Sequence, residues 1–378
     1  MDMELSQEQE MLRKSAQDFL ARECPTTVVR KLEESPLGYS PDMWKKMADL
    51  GWLGIPFPDT YGGLGGSAID LVVLNKELGR AICPSPYLST VVLSGGAILA
   101  AGSDAQKRDI LPKIVEGKAI VAFAFQEPSR YYDPRGISTT ANKQGTGWVI
   151  SGSKMFIEFD ENANYYLVTA RTSKTADVNK GLTMFLVDAK AAGISRTRLL
   201  TMARDPESEI KFNNVAVPAS AVVGEVGNAW SVLEKVIDKG IVTFAGYMVG
   251  SSEKIHQMAI EYSKTRVQFG RPIGAFQSIQ HYMAQNITEI FAADSFTYYT
   301  AWAVDSGNAT KELIAKCKAF VGDTYRNSGF IGTQIFGGIG TAVESDTTLF
   351  LRRCKQAQLQ MGDSGFYEDI VAAEILDK

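Results

Sequence analysis

The sequence predicts a multidomain α+β protein: an N-terminal helical domain, a small antiparallel β domain and a C-terminal helical bundle. Three observations predict it. Apolar residues keep helical spacing up to about residue 117 and again from Trp230 onward. Between them lie short runs rich in aromatic and β-branched residues, punctuated by turns. The C-terminal periodic stretches are long and joined by short loops, as in an antiparallel bundle.

From Leu5 to about Cys24, Met11, Leu12, Ala16, Phe19 and Leu20 follow helical spacing, with Ser6 as N-cap. Ser40-Pro41 starts a second helix, Ser capping and Pro in the first turn. GIPFPDTYGGLGGS, residues 54–67, is too rich in Gly and Pro to be anything but loop. Ala68 to Ala81 and Gln106 to Glu116 read as helices, which closes a helical domain at 1–117. In 118–222, AIVAFAFQ is a short apolar run and GTGWVISGSKMFIEF reads turn–strand–turn–strand. NYYLVTAR, GLTMFLVDA and EIKFNNVAVP complete the β domain. In 223–378 helices are expected over 230–266, 276–306 and 311–336 and from Thr347. The stretch "YSKTRVQFGRPIGAFQSIQHYMA" breaks the first of these at Gly-Arg-Pro-Ile-Gly and resumes helical spacing at once.

Bulk properties narrow the class. A net charge of −4 gives no electrostatic case for nucleic acid or an anionic membrane. No run approaches the roughly 18 apolar residues of a membrane span, and the polar, acidic start does not read as a signal peptide. Four scattered cysteines without CxxC spacing suit a reducing cytoplasm. Two histidines, neither near a GxSxG elbow, make a His-based metal site or a Ser-His-Asp triad a poor expectation. A cytoplasmic protein is expected, without membrane insertion or bound metal.

A series of motifs in fixed order then carries a resemblance. PDTYGGLGGS, the approach QKRDILPKIVEGKAIVAFAFQEP, GSKMFI, VAVPASAVVGEVGNAW, RVQFGRPIGAFQSIQHYMA and QIFGGIG, together with the helix–β–helix order, resemble the acyl-CoA dehydrogenase family of flavoproteins from end to end. The resemblance implies a central antiparallel β-barrel domain, a C-terminal four-helix bundle and an FAD cofactor. It implies that the interrupted helix faces the flavin of a neighbouring subunit. There Arg266 would neutralise the FAD pyrophosphate, Phe269 would lie along the cofactor and Gln277 would hydrogen-bond it. Gln334, Gly337 and Gly338 would let backbone approach the dinucleotide closely. On the β domain Phe123, Phe125 and Gln126 match one flavin-facing segment, and Phe156 and Glu158 the other. At period two, one of Phe123 and Phe125 could equally face the core.

The resemblance also implies concerted chemistry: a carboxylate removes the α-proton of an acyl-CoA while the β-hydrogen leaves as hydride. Both family positions for that carboxylate lack one here. In the C-terminal segment, Met361 of Gln360-Met361-Gly362-Asp363 stands where Glu is usual, and the alternative position, about 26 residues before Arg266, is Gly240. Gln126 replaces Thr beside Glu127-Pro128, Glu158 replaces a Thr or Ser, and Tyr131 and Tyr132 fill the usual Gly-Ser. Tyr132 and Asp238 are candidate substrate contacts, and Glu158 and Asp238 are the nearby acids able to act as a displaced base. Asp238 reads equally as a solvated bundle residue. Gly240 and Gly246 suggest either room for a bulky acyl group or tight helix packing.

Three readings follow: a self-sufficient dehydrogenase with a displaced base, a base-lacking subunit, or a base-free lyase such as a desulfinase. A non-catalytic scaffold is a fourth. The base-lacking subunit would work in a homo- or hetero-oligomer, dimer or tetramer, with a catalytic paralogue. It would act in β-oxidation of a bulky, cyclic or dicarboxylic acyl-CoA and hand electrons to an electron-transfer flavoprotein or similar acceptor. Intact motifs for a neighbour's flavin beside degraded motifs for its own place that reading first.

Overall fold

A computed structural model describes residues 4–376. The chain forms two compact units. One contains residues up to Arg30, then Ala68–Cys83 and everything from Ile241; the other contains Lys31–Ser67 and Pro84–Gly240. The helices are α1 (Gln7–Glu23), α2 (Thr26–Glu34), α3 (Pro41–Asp49), α4 (Ala68–Arg80), α5 (Gly96–Ala101) and α6 (Asp104–Val115), then α7 (Trp230–Thr265), α8 (Gln277–Asp305), α9 (Lys311–Phe336), α10 (Asp346–Leu359) and α11 (Ser364–Leu376). The strands are β1 (Val121–Ala124), β2 (Thr140–Gln144), β3 (Gly147–Glu158), β4 (Tyr165–Arg171), β5 (Leu182–Asp188), β6 (Ile194–Leu199), β7 (Glu207–Val217) and β8 (Val222–Val223), followed by the short pair β9 (Val267–Gln268) and β10 (Arg271–Pro272).

Caps set the helix starts. Ser6 and Gln9 form a reciprocal capping box at α1, and Ser103 with Gln106 does the same at α6. Ser40 accepts from the Met43 amide, with Pro41 in the first turn of α3. In α1, Ala16, Phe19 and Leu20 are buried as the spacing predicts, whereas Met11 faces solvent. The sequence reading passes over α2 and the π-helical turn Tyr87–Gly95. The latter is buried nearly all round, with Ser89, Thr90 and Ser94 buried alongside its apolar residues, so it has no amphipathic period to detect.

The middle region departs from expectation in two ways. It is an open sheet, not a closed antiparallel barrel: the strand order is β6-β7-β3-β2-β4-β5-β8, and β1 joins by pairing with β4. Among the described residues β6 pairs only with β7 and β8 only with β5, so no strand joins the ends. Nor is it wholly antiparallel, since β1 runs parallel to β4 and Thr140 of β2 pairs parallel with Arg171. The β6 edge is guarded by charge, with the Arg196 guanidinium donating to Tyr166 Oη at 2.8 Å. The turn expected inside GTGWVISGSKMFIEF is instead a bulge: β3 stays one strand, irregular between Ile150 and Gly152 and again between Lys154 and Ile157. At Gly152 (φ +152) a Cβ would meet Thr139 Oγ1 at 2.4 Å, so only glycine fits.

In the other unit α9 packs against α8, α10 and α11, and α4 crosses α7 at glycines. A Cβ on Gly250 would meet the Lys76 carbonyl oxygen at 1.8 Å, one on Gly79 the Tyr247 oxygen at 1.9 Å, and one on Gly246 the Val72 oxygen at 2.9 Å. Gly246 therefore serves close helix packing. Gly240 faces the Leu93 side chain, whose Cδ2 a Cβ there would meet at 2.5 Å and would have to displace. The roomier acyl pocket suggested by these two glycines is not what they make. Among the described residues no helix is long and apolar enough to cross a membrane.

Candidate flavin and acyl-CoA site

The candidate residues fall into two clusters, one per unit. In the sheet-containing unit, β1 carries Phe123, and Phe125 follows it on the same face. Their rings stack 5.9 Å apart, and Phe125 stacks in turn on Trp230 at 6.2 Å. Phe125 is buried and Phe123 half-buried, both on the face opposite Ala122 and Ala124, which enter the core of the sheet. The next residues are fixed by hydrogen bonds. The Met155 amide donates to Gln126 O at 2.8 Å, and Gln126 Nε2 donates to Glu127 O at 3.1 Å.

Beneath this segment lies an ion pair the sequence reading overlooked. Lys154 Nζ, fully buried, donates to Glu127 Oε1 at 2.7 Å and to Phe125 O at 3.0 Å. Glu127 also accepts from the Ser138 amide at 2.8 Å, the Ser138 hydroxyl at 2.5 Å and the Thr139 amide at 3.0 Å. Burial raises the Glu127 carboxyl, but Lys154 and Ser138 more than offset it and hold the group below its ordinary value. Burial likewise pulls the Lys154 amine down to about 8, against the opposing pull of Glu127. Both members are charged at neutral pH. The signal was present in the sequence: Lys154 is the lysine of GSKMFI and Glu127 the acid of QEP.

Two residues beyond Lys154, the bulge in β3 puts Phe156 at φ +57 and turns its side chain out, 54% exposed. A bulky residue at positive φ is an outlier, and here it displays an aromatic ring. Glu158 is half-buried at the end of the same strand, in register with Glu207 of β7. Tyr132 is half-buried in the loop after Glu127-Pro128, and Asp238 is half-buried on α7. Position 240 is closed to any side chain unless Leu93 moves.

In the helical unit, the break after α7 is a miniature hairpin. Gln268 pairs with Arg271 across Phe269-Gly270, both at positive φ (+53 and +79), as a two-residue primed turn requires. Phe269 stands at the tip, 94% exposed, its ring edge-on to Phe276 at 6.1 Å. Arg266 at the base is also exposed; its carbonyl accepts from the Ile273 amide at 2.8 Å, which closes the hairpin. Gln277 is the first residue of α8 and exposed. The end of α9 lies beside the hairpin stem, because Tyr262 and Phe336 stack face to face with centroids 4.2 Å apart. There Gln334, Gly337 and Gly338 are exposed, and a Cβ on either glycine would meet nothing within 4 Å.

An exposed guanidinium, an aromatic ring and a carboxamide held on rigid backbone, beside a bare glycine pair, fit a dinucleotide with a pyrophosphate and a flat ring system. The fit to FAD therefore rests on donor chemistry and on glycines that leave backbone accessible. Met361 sits in the turn between α10 and α11 at φ +57 and is half-buried. Its carbonyl accepts from Tyr367 Oη at 2.6 Å. Among the described residues no group of three or more His, Cys, Asp or Glu is placed to hold a metal.

The chain matches three family models: "Acyl-CoA dehydrogenase, N-terminal domain" over residues 6–118, "Acyl-CoA dehydrogenase, middle domain" over 122–215 and "Acyl-CoA dehydrogenase, C-terminal domain" over 227–376. It is 31% identical to the Caffeyl-CoA reductase-Etf complex subunit CarC of Acetobacterium woodii, over 100% of both chains. Among solved structures it resembles butyryl-CoA dehydrogenase from Megasphaera elsdenii, at a TM-score of 0.91, 29% identity and 100% of both chains. It also resembles a variant of the "Tcur3481-Tcur3483 steroid ACAD", at a TM-score of 0.87, 27% identity and 98% of both chains.

Proposed function

The chain belongs to the acyl-CoA dehydrogenase family of FAD-dependent oxidoreductases, and from that premise we propose that it is the base-lacking subunit of a hetero-oligomeric acyl-CoA dehydrogenase. Its substrate would be the thioester of a bulky, cyclic or dicarboxylic acid, and its partner a paralogue that carries the carboxylate. One observation carries the reading. The hairpin bearing Arg266, Phe269 and Gln277 is fully formed and exposed, while position 361 is Met and position 240 is packed against Leu93. The paired name of the steroid relative and the complex named for the Acetobacterium relative support an assembly of unlike subunits that works with an electron-transfer flavoprotein. The three matched ranges support three functional regions at 1–117, 118–222 and 223–378.

In this reading Arg266 neutralises pyrophosphate charge, Gln277 and the Gln334–Gly338 turn hold the dinucleotide, and Phe269 covers its ring system. Phe123, Gln126 and Phe156 stand on this chain's own sheet, apart from the flavin that its hairpin serves in the partner. Bound FAD supplies the two-electron acceptor for the β-hydrogen. What this chain does not supply is the acceptor for the α-proton. Met361 offers a thioether of negligible basicity, Asp238 and Glu158 remain the acids to test, and Tyr132 narrows the thioester entry.

Visible absorption of the chain purified alone, before and after anaerobic addition of a range of acyl-CoAs, tests this. The expected result is no bleaching, with bleaching restored once the co-purified paralogue is present. A yellow protein that bleaches by itself overturns the reading in favour of a displaced base, to be sought with Asp238→Asn and Glu158→Gln.

A further inference from the structure

Helix α9 buries an apolar stripe of Ile314, Cys317, Val321 and Tyr325, and Lys318 interrupts it at 1% exposure. A buried ammonium is tolerated only where acceptors surround it. Lys318 Nζ donates to Gln358 O at 2.9 Å and to Gly362 O at 2.8 Å. The first carbonyl belongs to the last turn of α10, whose final C=O groups have no partner within the helix; a cation there also complements the helix dipole. The second lies just past Met361. Lys318 thus grips the chain on both sides of the residue that stands where the motif match puts the family's carboxylate.

The rest of the turn is held as firmly. Met361 and Gly362 have φ of +57 and +108, and a Cβ on Gly362 would meet Tyr367 Cε2 at 2.7 Å. Tyr367, which donates to Met361 O, has its ring 5.8 Å from the Lys318 ammonium. Gln358 Nε2 and the Ser364 hydroxyl both donate to Asp323 Oδ1, at 2.7 and 2.6 Å, and Arg326 lies 3.3 Å from the same oxygen. Asp363 Oδ1 accepts from the Phe366 amide at 2.8 Å and starts α11. Every one of these bonds ends on backbone or on residues other than 361. The turn is built without reference to the side chain it presents.

We propose that Lys318 is a positioning residue of this site: by holding the carbonyls of Gln358 and Gly362 it fixes the turn that presents residue 361, whatever side chain stands there. The role deepens the function above and depends on it in one respect, that residue 361 faces the thioester. The groups facing the ammonium are Asp323 and Cys317 on α9, Asp363 in the turn, Tyr367 on α11 and, through Asp323, Arg326. Burial draws the Lys318 amine down to about 7, against the opposing pull of Asp363, Asp323 and Cys317. The grip is therefore charge-assisted on the acid side of neutrality and that of a neutral amine above it.

The test uses the full chain labelled with ¹³C at its methionine methyls, with the Met361 resonance assigned by Met361→Leu. Wild type should show the Met361 methyl shifting between pH 6 and 8.5. In Lys318→Met that titration should vanish and the resonance should move or broaden, while Met47 and Met184, in the other unit, stay put. Amide exchange over 359–367 should rise at least about tenfold in the same variant. If Lys318→Met does not fold, ¹³Cε-lysine labelling of wild type decides, the Lys318 and Met361 midpoints being required to coincide. A Met361 methyl resonance and amide exchange over 359–367 that are both unchanged in Lys318→Met overturn the role. Failure of the functional reading shows separately. Met361→Glu that keeps slow amide exchange over the turn but gives no acyl-CoA-dependent bleaching in the chain alone, reconstituted with FAD, removes residue 361 from the thioester and leaves the Lys318 grip standing.

Discussion

Lys154 and Glu127 show how much one buried pair can fix. Both side chains are sealed from water, and the lysine also holds Phe125 O, so the pair anchors the strand end from which Gln126 projects. Lys154→Met leaves a buried carboxylate with only its Ser138 and Thr139 donors and should cost about 3–5 kcal/mol in urea unfolding. Adding Glu127→Gln should recover part of that, because the uncompensated charge is then gone. Linkage adds a second expectation. In the folded chain Lys318 and Lys154 lose their protons near 7 and 8, whereas 10.5 is the ordinary lysine value. The unfolded chain therefore binds more protons above pH 7, and stability from these two groups rises with pH. The opposite trend comes from buried thiols, Cys317 pushed up to about 11 and Cys354 to about 12 from an ordinary 9. Unfolding midpoints should thus climb between pH 7 and 8.5 and climb less in Lys318→Met; a flat profile in wild type contradicts the buried-amine assignment. Both lysines stand in plain view in the sequence, but the partners they bind do not follow from it. Lys154 stood inside a quoted motif, but its partner lies 27 positions away, and Lys318 was visible only as a charge on an apolar stripe.

The hairpin between α7 and α8 is the element on which the cofactor reading turns. Its sequence shows a break with Arg266 and Phe269 beside it, yet the short strands are not legible there because two residues per strand leave no period to read. Phe269 is almost wholly exposed, so Phe269→Ala should change stability by less than about 0.5 kcal/mol while lowering flavin retention in the complex at least about tenfold, the loss of a stacking face. Dialysis against flavin-free buffer, followed by absorbance, measures the second. Equal retention would remove Phe269 from the cofactor. The crossing of α4 and α7 gives the contrasting case. Gly250→Ala drives a Cβ onto a backbone oxygen that cannot move alone, so a loss of about 3 kcal/mol is expected on thermal or urea unfolding. Helix order, caps and boundaries were legible from periodicity and from Ser6, Ser40 and Pro41. Sheet closure was not, because strand pairing is set by long-range register that alternation within one strand does not encode.

Across the whole molecule the distribution of intact and altered features is itself an argument. Arg266, Phe269, Gln277 and the Gln334–Gly338 turn stand together in the helical unit with nothing disturbed. The residues that depart from the motif match are Gln126, Glu158 and Tyr132 in the sheet-containing unit and Met361 in the turn after α10. On the proposed reading, a chain that used its own flavin would carry a carboxylate at 361 or 240, and this one has Met361 and Gly240. One that lends its hairpin to a neighbour's flavin has reason to keep only the hairpin. The two cases separate in the complex with the paralogue. Arg266→Ala in this chain should strip flavin and abolish acyl-CoA oxidation, because a pyrophosphate loses its fixed cation. Phe156→Ala and Glu158→Gln in this chain should leave turnover within about twofold, since the flavin that works is walled by the paralogue's own sheet. Turnover by steady-state dye reduction and flavin content by absorbance read both. Should Glu158→Gln or Phe156→Ala abolish turnover while Arg266→Ala spares it, this chain's own sheet forms the working site, and the assignment of roles between the two subunits must be reversed.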